Sequence, residues 1–419
     1  MSERYYDIVI AGGGMIGTSL ALALAPLGLR IAIVEAVARE HDKQPSFDDR
    51  STALSRSTQR MFEAMGLWPE IVAASTPIRA VHVSDQGRFG FSHIDAAEQG
   101  VEALGYVVIN RVLGGVLQSA LRNQDGVDDY CPARIGSIEL GPDRASATVE
   151  KAGGETLTLD CSLLVAADGA NSSVRSMRGI TAQKSRSGQR AVIGTLLPDR
   201  PVDNVAYERF TPQGPLALLP VAEGRAGFVW TVSADDAERV MALEDDAVLA
   251  ELLHEFGYRL GAFSRVGKLA SYPLVLSKVP RLTATRSVLV GNSAHGLHPV
   301  SAQGFNLGMR DVAALVDCIA DEWGQTDFSA AESRSDPSYD PAALLARYAA
   351  WRRADQRKLV RFTDSLVKLF GSDRRGLRTL RNIGMLGFDL VPGVRGVFAK
   401  HTMGLAGRLP RLSRGVPVK

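Results

Sequence analysis

The chain has 419 residues, of which 45% are hydrophobic and 22% charged, with 48 Lys/Arg against 46 Asp/Glu for a net charge of +2. That balance excludes a disordered chain or a uniformly basic nucleic-acid binder, and the length allows two or three domains with a large core. No apolar run reaches the roughly 18 residues of a membrane span and no signal-peptide pattern opens the chain, so the expected place is the cytoplasm.

Residues 5–35, YYDIVIAGGGMIGTSLALALAPLGLRIAIVE, carry the strongest local pattern. Residues 6–11 are apolar and end at glycines, as a buried parallel strand does. Gly12, Gly14 and Gly17 follow at the spacing G-x-G-x-x-G. The first permits a tight turn, the second lets a pyrophosphate approach the backbone, and the third lets the helix pack on the strand. A helix from about Met15 to Ala25 then points its N-terminal amides at phosphates. A second strand, Arg30–Val34, ends at Glu35, placed to accept hydrogen bonds from a ribose diol and to repel a 2′-phosphate. With strand, helix and terminal acid all present, the stretch predicts a dinucleotide site. It does not by itself separate NAD from FAD.

A polar loop spans 38–50, and Ser51 or Thr52 is the expected cap of a helix running to about Met65. Residues 79–94 alternate and turn at Asp85–Gln86–Gly87, which predicts a hairpin. A helix is expected over 111–122. Residues 131–160 read as a three-stranded meander turning at Gly141–Pro142 and Gly153–Gly154, and 163–167 (LLVAA) as a separate parallel-type strand. The strand runs into Asp168–Gly169, with Arg175 soon after; alone, this is either a turn or a cofactor-facing edge. Residues 188–275 change character to short strands between Pro/Gly turns, with a helix over about 245–255. SVLVGN (287–292) returns to the parallel pattern, and a Gly/Ala-rich loop leads into a helix from Gly304 to about Glu322, a second place where backbone amides meet a crevice. A polar loop over 324–340, a long amphipathic helix over 341–370 and weak helical patches over 371–419 complete the chain. Residues 347–419 hold 17 Lys/Arg against 4 Asp/Glu, a local +13 that leaves −11 on the first 346. The basic segment is read either as a solvated face or as a surface for an acidic partner. Cys131, Cys161 and Cys318 are widely spaced and form no metal pair, so they are expected to be buried small hydrophobes.

The three motifs, GGGMIG, ADGANSSVR and GNSAHGLHPVSAQGFN, resemble in order and separation the flavoprotein aromatic hydroxylases of the p-hydroxybenzoate hydroxylase fold. The third departs from the family form G-D-x-x-H-x-x-x-P-x-x-G-Q-G-x-N at Asn292 and Ala302. HVSDQG (82–87), YERFTPQGPLALLP (207–220), GFNLGMRD (304–311) and RNIGM (381–385) further resemble the branch that hydroxylates 2-polyprenyl-6-methoxyphenols in ubiquinone biosynthesis. The resemblance covers nearly the whole chain.

It implies an α/β protein with a Rossmann-like FAD-binding domain (1–78, 100–187 and 276–345), an inserted, mainly antiparallel β-sheet substrate domain (79–99 and 188–275) and a C-terminal helical basic segment (346–419). It implies an NAD(P)H-reduced FAD that reacts with O2 and passes an oxygen atom to the ring, chemistry that side chains cannot supply. The expected cofactor residues are Gly12, Gly14, Gly17, Glu35, Asp168, Asn292, Pro299, Gln303, Gly304 and Asn306. Arg50 and Arg111 are candidates for phosphate or ribityl contacts, or else for surface salt bridges. Tyr207, Arg209 and Pro220 are the expected wall of the ring pocket. His295 and His298 are assigned neither as acid nor as base, and no metal set is expected. An isoprenoid tail belongs in a membrane, so peripheral association with the inner membrane or a lipid-presenting partner is expected through Val394, Val397, Phe398, Leu405 and Leu409. Two other readings are a flavin dehydrogenase of the same fold and a flavin-bearing structural subunit.

Overall fold

A computed structural model describes residues 4–39, 50–87, 91–296, 303–323, 340–371 and 394–419. Four parallel strands form its centre: Ser287–Leu289, Thr156–Ala166, Arg4–Ala11 and Ile31–Val34, with Val127–Tyr130 parallel at the far edge. Ile8, Val9, Ile10, Ile31, Ile33 and Val165 are wholly buried: helices cover one face of this sheet, and Ile135, Ala145, Ala147 and Val149 of the antiparallel strands Ala133–Leu140 and Ala145–Lys151 belong to the same core. The helices Met15–Leu24 and Gln303–Trp323 pack on each other across one face, and Ala342–Gly371 packs on the second of them.

Two expectations are corrected here. The third meander strand and the parallel strand at 163–167 are one element, Thr156–Ala166. Its first half pairs antiparallel with Ala145–Lys151 and its second half lies parallel to Arg4–Ala11. The polar residues where the two halves join are satisfied in place: Asp160 accepts from Ser146 Oγ at 2.5 Å and pairs with Arg144. Likewise Ser51–Ser55 is a strand paired with Gly105–Ile109, and the helix Arg56–Ala64 starts later. Its cap is Ser55, whose hydroxyl accepts from the Thr58 amide. A β-branched, alternating S-T-A-L-S run prefers the pleated surface to a first helical turn.

The second large sheet joins residues 80–95 to residues 183–278 and 295–296. All its pairs are antiparallel except Val205–Phe210 with Ala80–Asp85. One face is covered by Asp245–Phe256, as expected, and by Ala234–Met241, which the sequence reading left within the strand region. Ser233 caps the latter, accepting from the Asp236 amide at 3.0 Å, and Asp235 and Asp236 suit its positive end. A three-stranded sheet, Ser51–Ser55, Gly105–Ile109 and Ser75–Ile78, stands between the two large ones.

The C-terminal stretch is built into the fold. Ala399 and Met403 are buried with Ile94 and Leu104, and Phe398 and Leu405 pack against the same cluster. Leu412 and Val418 join the main core. Phe398 and Leu405 thus do not form a free lipid-facing row. The expected loop at 324–340 lies almost wholly outside the described residues, and Arg381–Met385 lies wholly outside them. Among the described residues, no helix is long and apolar enough to cross a membrane.

Candidate active site

The three motif loops leave the carboxyl ends of adjacent parallel strands. Gly12 has φ +100°, and a Cβ there would lie 2.6 Å from the Ala167 carbonyl oxygen, so loops one and two touch through backbone. A Cβ on Gly17 would lie 1.9 Å from the Gly12 oxygen, which is the close helix–strand approach the spacing implied. Gly14 is the N-cap of Met15–Leu24, and the first turn of that helix holds no acid. Its dipole therefore meets no protein anion from its own turn. Buried Glu35 ends the second strand and accepts from the Gly13 amide at 2.6 Å and the Val37 amide at 2.8 Å. Arg39 lies beside it, gripping both Asp129 oxygens at 2.7 Å. No motif position marked Arg39 in the sequence.

In the second loop, Asp168 Oδ2 accepts from Ser173 Oγ at 3.1 Å and the Val174 amide at 3.2 Å, while Oδ1 is buried without a hydrogen-bond partner. Arg175 is buried and donates to the carbonyls of Ala170 and Ser293, at 2.8 and 2.9 Å. It thereby ties the second loop to the third. Gly291, at φ +60°, turns the third loop away from its strand, and Asn292 stands exposed at the turn. Asp311 anchors this loop from the long helix behind it. It accepts from the Gly291 amide at 2.9 Å, from His295 Nε2 at 2.6 Å and from Arg352 Nε at 2.6 Å. Burial pushes the Asp311 carboxyl up, but His295 and Arg352 outweigh it and hold it below the usual carboxylate range. His295 is thus a buried structural partner of Asp311. Nothing in the spacing of Asp311 and Arg352, 41 residues apart, announced this network.

Asn306 was expected to face the cofactor. Its Oδ1 accepts from the Ser55 amide at 2.9 Å and Thr58 Oγ1 at 2.8 Å, and its Nδ2 donates to the Ala53 carbonyl at 2.8 Å. The amide fastens the start of Gln303–Trp323 to the strand Ser51–Ser55, so it shapes the site through that helix. A Cβ on Gly304 would meet nothing within 4 Å. His298, Pro299 and Ala302 lie outside the described residues, and Gln303 is described only as the first residue of its helix. The half-buried Arg50 carries its guanidinium over the Tyr272 ring, 4.8 Å from the centroid, bridging the first motif's domain to the second sheet. Arg111 is exposed, near the start of Asn110–Arg122.

The second sheet presents one face to this crevice. A Cβ on Gly227 would lie 3.0 Å from Ser51 Oγ, and Ala206 is buried with Ile78 and Val107 of the small sheet. By strand alternation, Glu208, Ala217, Leu219 and Val229 share that face. Tyr207, Arg209 and Pro220, the expected ring wall, point the other way. Tyr207 meets Phe256 edge-on at 5.5 Å, and Arg209 Nε donates to the Glu255 carbonyl at 2.9 Å. Pro220 stands opposite Ala226 in the helix-covered core. His82 is on the same side as Tyr207; burial, then Arg259, His93 and Arg209, push it down to about 4. A cavity of about 310 Å³ lined by Gln213, Trp230, Arg239 and Glu255 also opens on that side, away from the three loops.

The FAD binding domain family matches residues 5–331. The chain belongs to this family. Ubiquinone hydroxylase UbiL of Rhodospirillum rubrum is 35% identical over the whole of this chain and 94% of its own length. The 3-demethoxyubiquinol 3-hydroxylase of Escherichia coli is 29% identical over 97% of this chain and all of its own. Among solved structures, p-nitrophenol 4-monooxygenase PnpA of Pseudomonas putida superposes with a TM-score of 0.72 at 18% identity, covering 97% of this chain and 99% of that one, a likeness of fold.

The residues of this FAD-family protein fit the cofactor. The first helix N-terminus lacks an acid, as a pyrophosphate requires. The orphaned Asp168 Oδ1 has room for one more donor, such as a ribose or ribityl hydroxyl would supply. FAD is the cofactor of this fold, and it brings the electron and oxygen chemistry when bound.

Proposed function

We propose that this FAD-dependent monooxygenase hydroxylates the ring of a polyprenylated phenol, a 2-polyprenyl-6-methoxyphenol of ubiquinone biosynthesis, with NAD(P)H and O2. The observation that carries the reading is the pairing of three converging loops with a sheet face that is half-buried, mostly apolar and, among the described residues, uncovered by helix. Such a face suits an aromatic ring with an isoprenoid tail. Gly12, Gly14 and Gly17 admit the pyrophosphate, and Glu35 holds the adenosine end. Asp168 and Asn292 receive cofactor hydroxyls, and the start of Gln303–Trp323 faces the flavin ring. Arg50 and Tyr272 close the crevice at the sheet side and exclude water, which would otherwise divert the activated oxygen. Arg111 remains a candidate phosphate contact.

The substrate's tail places the enzyme in the cytoplasm at a membrane surface or beside a lipid-presenting partner. The exposed Lys400, Arg408 and Arg414 supply positive charge for that contact. Equal binding of anionic and neutral vesicles would remove this part of the reading.

The experiment is turnover of purified, yellow protein. NADPH consumption should rise with a 2-methoxy-6-alkylphenol and yield a product one oxygen atom heavier under O2. Bleaching of the flavin without an oxygenated product would favour a dehydrogenase. Colourless protein that still joins a complex would favour a structural subunit.

A further inference from the structure

Glu208 is an anomaly on the crevice face. Its ladder partners are Val83 on one side and Ala217 on the other, and the next residue across is Val229. Its side chain is half-buried on that face. Among the described residues it has neither a hydrogen bond nor an ion pair. A carboxylate in such a place is costly, and a strand needing only packing would carry Val or Leu there. Among the described residues no structural partner explains its presence, whereas the adjacent Arg209 is tied to the Glu255 carbonyl on the far face.

We propose that Glu208 receives the hydroxyl proton of the bound phenol. The inference rests on the phenol-hydroxylase reading above and names the residue that recognises and activates its ring. The phenol O–H bond breaks and a new O–H bond forms on the Glu208 carboxylate. The electron pair stays on the phenol oxygen, where it raises electron density at the ring carbons that accept oxygen. The proton then leaves to water through the crevice.

Burial alone pushes the Glu208 carboxyl up to about 7, near the working range of a general base. The titratable and charged groups facing it are few. The strand Ala80–Asp85 offers buried Asp85, two residues beyond Val83 on the same face. The strands Pro215–Pro220 and Ala226–Ser233 offer none on that face. Farther along the same sheet, the strand Ala270–Lys278 carries Tyr272 with Arg50 over its ring.

The test uses the full-length, FAD-loaded protein with 2-methoxy-6-prenylphenol and its O-methyl ether, following binding by the change in flavin absorbance. Affinity of the parent for the phenol should rise as pH passes through about 7, and the ether should bind weakly with no such step. Glu208→Gln should bind phenol and ether alike without the step, and its hydroxylation rate should fall about 100-fold. Glu208→Asp should keep the step at a reduced rate, and its retained flavin shows that the fold survives. A Glu208→Gln protein that keeps both the step and a rate within about threefold of the parent overturns the assignment. A parent that neither binds nor hydroxylates the phenol instead overturns the reading on which it rests.

Discussion

On the helix-covered face of the second sheet, Val192, Leu216, Leu218, Phe228 and Trp230 are each 2% exposed or less. On the crevice face, Ile193, Ala217, Leu219 and Val229 are half-buried, and among the described residues no helix packs over them. Both faces come from the same strands with the same alternation. The first is a finished core. Among the described residues, the second is an apolar surface left short of partners, with the unpaired Glu208 carboxylate in it, and a ligand is what would complete such a surface.

The contrast can be broken most forcefully at Trp230, deep in the finished face. Trp230→Ala should cost about 3–5 kcal/mol in chemical unfolding while leaving the dissociation constant for 2-methoxy-6-prenylphenol unchanged. A large loss of ring affinity at unchanged stability would put the ring on the helix side. Glu208→Gln should do the reverse to stability. Burial pushes the native carboxyl up to about 7 from its ordinary 4.5, so the folded state keeps the proton where the unfolded chain has released it. Parent stability therefore falls as pH rises from about 4.5 to 7, and the glutamine removes that fall. Denaturant melts should show the variant about 2–3 kcal/mol more stable at pH 8 and equal to the parent at pH 4.

Ala217→Phe fills the crevice opposite Glu208. It should weaken ring binding about tenfold or more, roughly 1.4 kcal/mol, with stability within about 1 kcal/mol of the parent. The smallest effect belongs to Tyr272→Ala, which removes the Arg50 stack and should cost about 0.5–1 kcal/mol by urea unfolding, with faster loss of reduced cofactor to solvent oxygen as its functional sign.

The sequence made the loops legible because each glycine answers a separate steric demand, seen now in the 1.9 Å approach a Gly17 Cβ would make. It made the sheet legible as strands but not their phase. Alternation in YERF says that Tyr207 and Arg209 share a face; only packing against Asp245–Phe256 says which. The helix Ala234–Met241 bore a readable signal, Ser233 with Asp236 three residues on, and it marks the covered side. Glu208, between the two residues first expected to line the pocket, was detectable only as a charge flanked by apolar alternates. The Asp311–Arg352–His295 network left no local trace, since buried ion pairs join residues by tertiary approach and not by spacing. Asn306 and Ser55 likewise meet across 251 residues of chain.

A structure of the protein with FAD and 2-methoxy-6-prenylphenol bound tests the central claim most directly. The account places the pyrophosphate at Gly14, a cofactor hydroxyl on Asp168 Oδ1, and the ring hydroxyl within about 2.6–3.2 Å of the Glu208 carboxylate. A ring bound among Tyr207, Arg209 and Trp230, with Glu208 facing bulk water, would contradict it.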